Sequence, residues 1–280
     1  MTVRPGRLVL LGHPVRHSLS SLFQNAALRS LGIPVVYEAL DTSPSELPER
    51  LRSLAAMRAA GNVTIPHKEA AAGLCQRLTP IAERVGAVNT FWVADDRTLV
   101  GDNTDVDGFD HLAKTAMGGS PTARHVAVLG AGGAAAAVLA ALERWPACEV
   151  SLYNRSLPRL ERLAARFAVV TRSELLAEAA VQGCDLVVNA TPVGLEDEAL
   201  PVRVEALEPD AVVVDLICRR DETAWVRAAR ARGHRAADGL AMLVEQGALA
   251  FERWFETPAP RDVMWRAVEA VRDPSAAGWP

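Results

Sequence analysis

The stretch HVAVLGAGGAAAAVLAAL, residues 125–142, decides the fold class of this 280-residue chain. Its first five residues form a short, mostly apolar run of the kind that makes a buried strand, and its alanine-rich second half predicts a buried helix. Between them lies the turn Gly130-Ala131-Gly132-Gly133. Glycines in such a turn let the backbone approach a pyrophosphate, and the helix N-terminus offers unpaired N–H groups and a positive dipole end. The stretch therefore predicts a strand–turn–helix unit that binds a nucleotide.

The glycine pattern is a near match to the dinucleotide fingerprint, because the third glycine would fall at Ala135. A glycine-rich turn alone is often only a tight loop. A strand before it and a helix after it make nucleotide binding the better interpretation.

The end of the next predicted strand, 149–153, indicates which dinucleotide is bound. NAD-binding domains place an acidic residue near this point, against the ribose 2′-hydroxyl. This chain has Asn154-Arg155-Ser156 instead, and Arg159 follows four residues after Arg155. Guanidinium groups pair well with phosphate oxygens, so the position favours the 2′-phosphate of NADP. The alternative is a solvated arginine at the start of a helix.

Strands and helices alternate along the rest of the chain, which predicts an α/β fold with a mostly parallel sheet. A turn-rich stretch at 118–121 is a plausible boundary between two α/β series. The predicted strands are 8–11, 35–40, 61–65, 125–129, 149–153, 185–189 and 211–216, and the predicted helices include 22–31, 46–58, about 242–255 and 263–271.

Composition excludes several classes of protein. Half the residues are hydrophobic and the formal net charge is −4, so neither nucleic acid nor an anionic membrane surface is an expected partner. No apolar stretch is long enough to span a bilayer, and the apolar run 8–11 is too short for a signal-peptide core. The cysteines lack metal-ligand or redox spacing, so we expect no metal site and a cytoplasmic protein with reduced thiols; they are Cys75, Cys148, Cys184 and Cys218.

Four ordered polar motifs carry a more specific signal than the fold. In this order and spacing, followed by the glycine-rich turn, they resemble the shikimate dehydrogenase family, and the resemblance covers nearly the whole chain. The motifs are His17-Ser18-Leu19-Ser20, 62–69 (NVTIPHKE), 86–90 (GAVNT) and 101–105 (GDNTD); Asn154-Arg155, Asn189-Ala190-Thr191 and 238–246 (DGLAMLVEQ) extend the match.

The resemblance implies an N-terminal α/β substrate domain over 1–105, a Rossmann-like NADP-binding domain over 106–237, and C-terminal helices over 238–280 that return to the substrate domain. The implied reaction is the reversible NADPH-dependent reduction of 3-dehydroshikimate to shikimate, in the route to aromatic amino acids. The implied partner is this small substrate alone, and the expected assembly is a monomer or a homodimer.

The resemblance also implies the site residues. Lys68 and Asp105 would form the catalytic pair, in which either group could be the formal proton donor because coupled groups share their titration. Ser18 and Ser20 would bind the substrate carboxylate, although serines before a helix also cap it. The hydroxyls would be bound by Thr64, Asn89 and Gln246. The cofactor would be held by Gly130, Ala131, Gly132, Gly133, Ala134, Asn154, Arg155, Ser156, Arg159, Asn189, Ala190, Thr191 and Gly239.

Two departures from the family pattern leave the identity of the preferred substrate undecided. Cys218 stands where relatives generally have a tyrosine that contributes to the substrate site, and a thiol is a weaker hydrogen-bond donor. Ala136 stands where an arginine often opens the helix of the nucleotide domain. Two alternatives follow: a paralogue acting on quinate or an amino-substituted analogue, or a non-catalytic relative that senses a metabolite.

Overall fold

The structure is a computed structural model that describes residues 5–15, 18–119 and 123–272. His17 lies outside the described residues, as do Ser120 and Pro121 of the predicted boundary. Internal contacts divide the chain into two compact units. We call 1–104 together with 244–280 the N-terminal unit, and 105–243 the central unit.

The N-terminal unit is built on a six-stranded mixed sheet with the strand order β2-β1-β3-β5-β6-β4. Its elements up to residue 104 are β1 Leu8–Gly12, α1 Ser20–Ser30, β2 Tyr37–Asp41, α2 Leu47–Ala56, β3 Ala60–Val63, α3 Lys68–Leu74, β4 Arg77–Leu78, α4 Pro80–Val85, β5 Thr90–Val93 and β6 Leu99–Asp102.

This sheet is less parallel than the sequence predicted. β1 pairs in parallel with β2 and β3, but β5 runs antiparallel to both β3 and β6. The reason is the short connection 94–98, which joins β5 to β6 as a hairpin with no crossover helix.

The core of the N-terminal unit lies between β1, β3 and the apolar face of α2. All five residues of β1 are buried, as expected of a strand with neighbours on both sides. Leu47, Leu51 and Leu54 of α2 recur at helical spacing and pack with Val9 and Leu11 of β1.

The central unit has the doubly wound α/β fold that the sequence predicted. All pairings in its six-stranded sheet are parallel, and the order β12-β11-β10-β7-β8-β9 is that of a dinucleotide-binding domain. Its elements are α5 Asp105–Met117, β7 His125–Leu129, α6 Gly133–Leu142, β8 Glu149–Tyr153, α7 Leu157–Ala164, β9 Val170–Glu174, α8 Ala177–Ala180, β10 Leu186–Asn189, β11 Val212–Asp215, α9 Ala224–Ala231 and β12 Ala236–Ala237.

Two helices follow β12. α10 is Leu240–Phe255 and α11 is Arg261–Arg272, and each contains the helix predicted there. Within the described part of the chain, no helix is both long enough and apolar enough to cross a membrane. Burial raises the pKa of the thiols of Cys75, Cys148 and Cys184 to about 11, as expected of side chains that fill apolar space.

Arg261 joins α11 to α10 through a double carboxylate contact. Its guanidinium donates to both oxygens of Glu245 at 2.9 Å and to Glu252 Oε1 at 2.6 Å. These bonds raise the pKa of Arg261 above its usual value, so the side chain stays charged. Because the guanidinium group of Arg261 is planar and binds Glu245 in a bidentate way, it holds α10 and α11 in one relative geometry.

We expect Arg261→Met to lower the free energy of unfolding by about 1 kcal/mol. An arginine that is bound by two carboxylates contributes more to stability than an ordinary surface ion pair. Arg266→Met on the same helix is the matched control. Arg266 is 69% exposed and pairs with Asp262 one turn away, so its loss should cost less than about 0.5 kcal/mol. Urea unfolding of both variants measures the difference, and equal midpoints would contradict the prediction.

Candidate active site

Polar side chains of the N-terminal unit converge on one edge of its sheet. β1, β3 and β6 end at this edge, and β5, which is antiparallel to them, begins there. The segments after β1 and β3, before β5 and after β6 therefore lie together. They carry the described residues of the four motifs that the sequence singled out.

Asn89 lies at the centre of a hydrogen-bond network at this edge of the sheet. Its side-chain Nδ2 donates to Thr104 Oγ1 at 2.9 Å and to Gln246 Oε1 at 3.1 Å, and its Oδ1 accepts from the backbone N–H of Thr104 at 2.8 Å. Thr104 Oγ1 also lies 2.9 Å from the backbone oxygen of Gln246, to which it donates. The structure thus joins two predicted site residues, Asn89 and Gln246, which are 157 positions apart.

Two more buried residues, Asn62 and Tyr37, form hydrogen bonds that hold Asn89 in place. Asn62 Nδ2 donates to the backbone oxygen of Asn89 at 3.1 Å, and Tyr37 Oη donates to Asn62 Oδ1 at 2.7 Å. Burial raises the pKa of Tyr37, so its hydroxyl stays protonated and remains a donor. Every hydrogen-bonding group here has a fixed partner, which favours a single side-chain geometry.

The segment after β6 is anchored by the buried carboxylate of Asp102. Its Oδ1 accepts from Thr79 and from the backbone N–H of Asn103, and its Oδ2 accepts from Arg253 Nε at 2.9 Å. Asp105 directly follows Thr104, begins α5 and is 3% exposed. The chain therefore ties Asp105 to the Asn89 network through one peptide bond.

Thr64 and Lys68 follow β3, and hydrogen bonds of their main chain fix their positions. The backbone N–H of Thr64 donates to Leu11, and the backbone oxygen of Lys68 accepts from Val88, the residue before Asn89. Lys68 is half-buried at the start of α3. Because its main chain is tied to the residue that precedes Asn89, the position of Lys68 relative to Asn89 is set by backbone bonds.

Ser18 and Ser20 lie in the segment between β1 and α1. Ser18 Oγ accepts from the backbone N–H of Ser20 at 3.2 Å, so one hydroxyl satisfies an N–H at the start of α1. Ser20 is buried and Ser18 half-buried. The N-cap residue of α1 is Leu19, and α1 has no side-chain cap, so the helix-capping role that the sequence allowed for the serines is wrong and the Ser18 bond closes a local turn before the helix.

In the central unit, the glycine-rich turn follows β7 at the point where the strand order reverses. Gly130 has φ +117°, and a Cβ there would lie 2.8 Å from the backbone oxygen of Ala190, so only glycine fits. Gly132 precedes the first residue of α6, and a Cβ on it would meet nothing within 4 Å. The turn leaves open space above its backbone at the N-terminus of α6, as an approaching pyrophosphate requires.

The position of the missing third glycine, Ala135, is completely buried in α6. A methyl group therefore fits between α6 and its neighbours. Ala136 is also buried, which leaves the more accessible start of the helix to Gly133 and Ala134, both half-buried.

Asn189-Ala190-Thr191 lies beside the turn, at the end of β10. Asn189 Oδ1 accepts from the hydroxyl of Thr191 at 2.6 Å, and its Nδ2 donates to Asp215 Oδ1 at 2.9 Å. Burial raises the pKa of Asp215, although Thr223 donates to its other oxygen. This buried chain of bonds shapes the wall next to Gly130.

The segment after β8 presents two exposed arginines, Arg155 and Arg159. Asn154 Nδ2 donates to the backbone oxygen of Ser156 at 3.0 Å, which folds the segment into a tight turn before α7. Among the described residues, neither arginine has an ion-pair partner. Both guanidinium groups are thus available to an external anion.

Two remaining positions lie after different strands of the central unit: Cys218 follows β11, and Gly239 follows β12. A Cβ at Gly239 would lie 2.4 Å from the backbone oxygen of Leu216, so this glycine permits close backbone packing. Cys218 is half-buried. Among the described residues, no group of three or more His, Cys, Asp or Glu side chains could hold a metal ion.

Three residues of the Asn89 network were not predicted as site residues. Thr104 lay within a quoted motif, and its position beside Asp105 was the available signal. Asn62 likewise lay within the quoted motif 62–69, whereas Tyr37 gave no signal, because a tyrosine in a strand pattern is a common packing residue. Gln24, outside these three, was not predicted either: it is fully buried and donates to the backbone oxygen of Gly247, beside Gln246.

Comparisons with known proteins show the family of this chain. Residues 10–91 match the family model "Shikimate dehydrogenase substrate binding domain", and 239–269 match "Shikimate 5'-dehydrogenase C-terminal domain". The NADP(+) shikimate dehydrogenase of Methylocella silvestris is 42% identical over 96% of this chain and 98% of its own length.

Two solved structures extend the likeness to three dimensions. The shikimate 5-dehydrogenase of Thermus thermophilus, in complex with NADP(H) and shikimate, is 40% identical with a TM-score of 0.84, over 95% of this chain and 99% of its own. The quinate dehydrogenase of Corynebacterium glutamicum, in complex with NAD, is 26% identical with a TM-score of 0.85, over 95% and 99%. The chain belongs to the shikimate dehydrogenase family.

Proposed function

We propose that this chain is an NADP-dependent oxidoreductase that reduces 3-dehydroshikimate to shikimate, reversibly, in the route to aromatic amino acids. The observation that carries the proposal is the Asn89–Thr104–Gln246 network, which lies one residue from Asp105 and is tied to the segment of Lys68. The N-terminal unit would bind the substrate and the central unit the cofactor.

The substrate carries a carboxylate and ring hydroxyls, so its site needs polar donors and acceptors in fixed positions. Asn89, Gln246 and Thr64 would bind the hydroxyls, and Ser18 and Ser20 the carboxylate. The buried bonds around Asn89 support this assignment, because an amide held by several partners cannot rotate away from a ligand.

Proton handling is assigned to Lys68 and Asp105. NADPH, when bound, supplies the hydride. The carbonyl oxygen of the substrate must then gain a proton, and the ammonium of Lys68 can donate one while the Asp105 carboxylate orients the neighbouring substrate hydroxyl. The burial of Asp105 supports this role, since a carboxylate removed from water orients its partners more strongly.

The residues of the central unit fit a dinucleotide. The turn Gly130–Gly133 with Ala134 would cradle the pyrophosphate, and Asn189-Ala190-Thr191 and Gly239 would form the neighbouring wall. Asn154, Ser156, Arg155 and Arg159 would surround the 2′-phosphate. The open space above Gly132 supports the pyrophosphate position.

The decisive experiment is an activity matrix of shikimate and quinate against NADP and NAD. We expect the highest kcat/KM with shikimate and NADP. A higher value with quinate would favour the alternative suggested by Cys218 and by the likeness to a quinate dehydrogenase. Absence of turnover with every pair, together with calorimetric binding of shikimate, would contradict the enzyme proposal in favour of a metabolite sensor.

Arg155 gives a prediction about cofactor choice. Arg155→Ala should raise KM for NADP about tenfold or more and leave KM for NAD nearly unchanged, because a charge-assisted bond to phosphate contributes about 1.5–3 kcal/mol. Initial rates with both cofactors measure the effect. Arg162→Ala, at an exposed position of α7 seven residues further along the chain, is the control, and equal changes for NADP and NAD in Arg155→Ala would contradict the assignment.

A further inference from the structure

A cavity lies in the N-terminal unit, at the opposite edge of its sheet from the Asn89 network. Its volume is about 590 Å³, within the range of small-molecule sites. It lies near the amino ends of β3 and β6, whereas the Asn89 network lies at their carboxyl ends. The lining residues are Pro48, Leu51, Arg52, Ala55, Ala56, Met57, Arg58, Gly73, Leu74, Gln76, Arg97 and Leu99.

The charge of this cavity is opposite to that of the chain. Arg52, Arg58 and Arg97 line it, and none of the described residues in its lining is acidic. The whole chain carries a formal charge of −4. Three guanidinium groups around one concave surface create a local positive potential that concentrates small anions.

Two of these arginines occupy backbone positions that favour glycine. Arg58 follows the C-terminal end of α2 with φ +53°, and Arg97 lies in the β5–β6 hairpin with φ +66°. Glycine or asparagine is usual at both kinds of position, because a Cβ is strained there. A bulky residue at a backbone position that favours glycine, with no local stabilisation in return, marks a candidate functional position.

The floor of the cavity is apolar. Leu51 and Leu99 are buried core residues, Met57 is 49% exposed, and Leu74 is half-buried. A thioether contacts aromatic rings favourably, and a guanidinium plane stacks on a ring face as well as binding a carboxylate. The combination suits a flat apolar body with one anionic group.

We propose that this cavity is a binding site for a small aromatic carboxylate, separate from the site that contains Asn89. The carboxylate binds to the arginines, and the ring lies over Leu51, Leu74 and Leu99. Inorganic phosphate lacks the apolar body and an aromatic alcohol lacks the charge, so both bind more weakly.

Isothermal titration of the full chain with benzoate tests the proposal, with benzyl alcohol and inorganic phosphate as matched probes. We expect benzoate to bind at least about tenfold more tightly than either, which corresponds to one charge-assisted bond or one buried ring. Saturating shikimate should leave the benzoate affinity unchanged. Competition by shikimate, or equal affinity for benzyl alcohol, would overturn the proposal.

Three variants locate the site. Arg97→Gly should weaken benzoate binding about tenfold and at the same time raise Tm, because glycine removes the left-handed strain. Gly73→Phe should abolish binding by filling the cavity, since a Cβ at Gly73 meets no atom within 4 Å and the fold can accept it. Arg203→Gln, an exposed charge of the central unit, controls for net charge. Unchanged affinity in both cavity variants would refute the site.

Discussion

Replacement of Lys68 by methionine is expected to lower kcat for shikimate oxidation by a factor of about 10² to 10⁴, the usual contribution of a positioned acid or base. Methionine keeps the length of the side chain but removes the ammonium. The KM for NADP should change little, because the cofactor residues lie on the central unit. Steady-state kinetics with NADP measure both parameters.

The matched control for Lys68→Met is Lys114→Met. The chain has only two lysines, Lys68 and Lys114, against 28 arginines. Lys114 pairs with Asp110 one turn away on α5, at 2.6 Å, and the sequence assigns it no role. An arginine cannot give up a proton at neutral pH, whereas a lysine can. If both methionine variants kept full kcat, the proton-donor role of Lys68 would be wrong.

Substitution of Gly130 by alanine is expected to lower the free energy of unfolding by about 3 kcal/mol and to abolish NADP binding. Two causes act together: a side chain at φ +117° is strained, and its Cβ would meet the backbone oxygen of Ala190 at 2.8 Å. Relief of that contact must move β7 away from β10 or alter the turn. Thermal unfolding and NADP titration measure the two effects.

Gly132→Ala separates the cofactor effect from the stability effect. A Cβ at Gly132 meets no protein atom within 4 Å, so the variant should unfold at nearly the same temperature as the parent protein. The added methyl group occupies space that a pyrophosphate would use, so NADP affinity should still fall by about tenfold or more. Normal NADP affinity in Gly132→Ala would place the pyrophosphate elsewhere.

Elements with strong apolar patterns could be predicted from the sequence. Strands β7 and β8 have the predicted bounds, because a continuous apolar run followed by glycine or a polar turn has few other solutions. β9 was missed since its residues are mostly exposed at the sheet edge and carry no periodic signal. The β5–β6 hairpin was missed because its connection lacks the usual glycine at the left-handed position, where Arg97 stands.

The residues of the candidate site also fall into two groups, those that the sequence could predict and those that it could not. The motif residues Lys68, Asn89 and Asp105 were identified because unusual polar strings occur in a set order. The partners of Asn89 could not be, since hydrogen bonds between residues 89, 104 and 246 depend on how three chain segments meet at one sheet edge. Sequence separation carries no information about such contacts.

The sequence by itself determined the α/β class, the glycine-rich nucleotide turn, the arginines in place of an acidic residue after β8, and the family. These depend on local chemistry: apolar periodicity, a backbone without a side chain, and charge at one position. Only the tertiary structure decided that Tyr37 and Asn62 support Asn89, that Gly130 must be glycine because of Ala190, and that three arginines line one cavity of the N-terminal unit. Those facts depend on packing between segments far apart in the chain, where sterics and burial act through space.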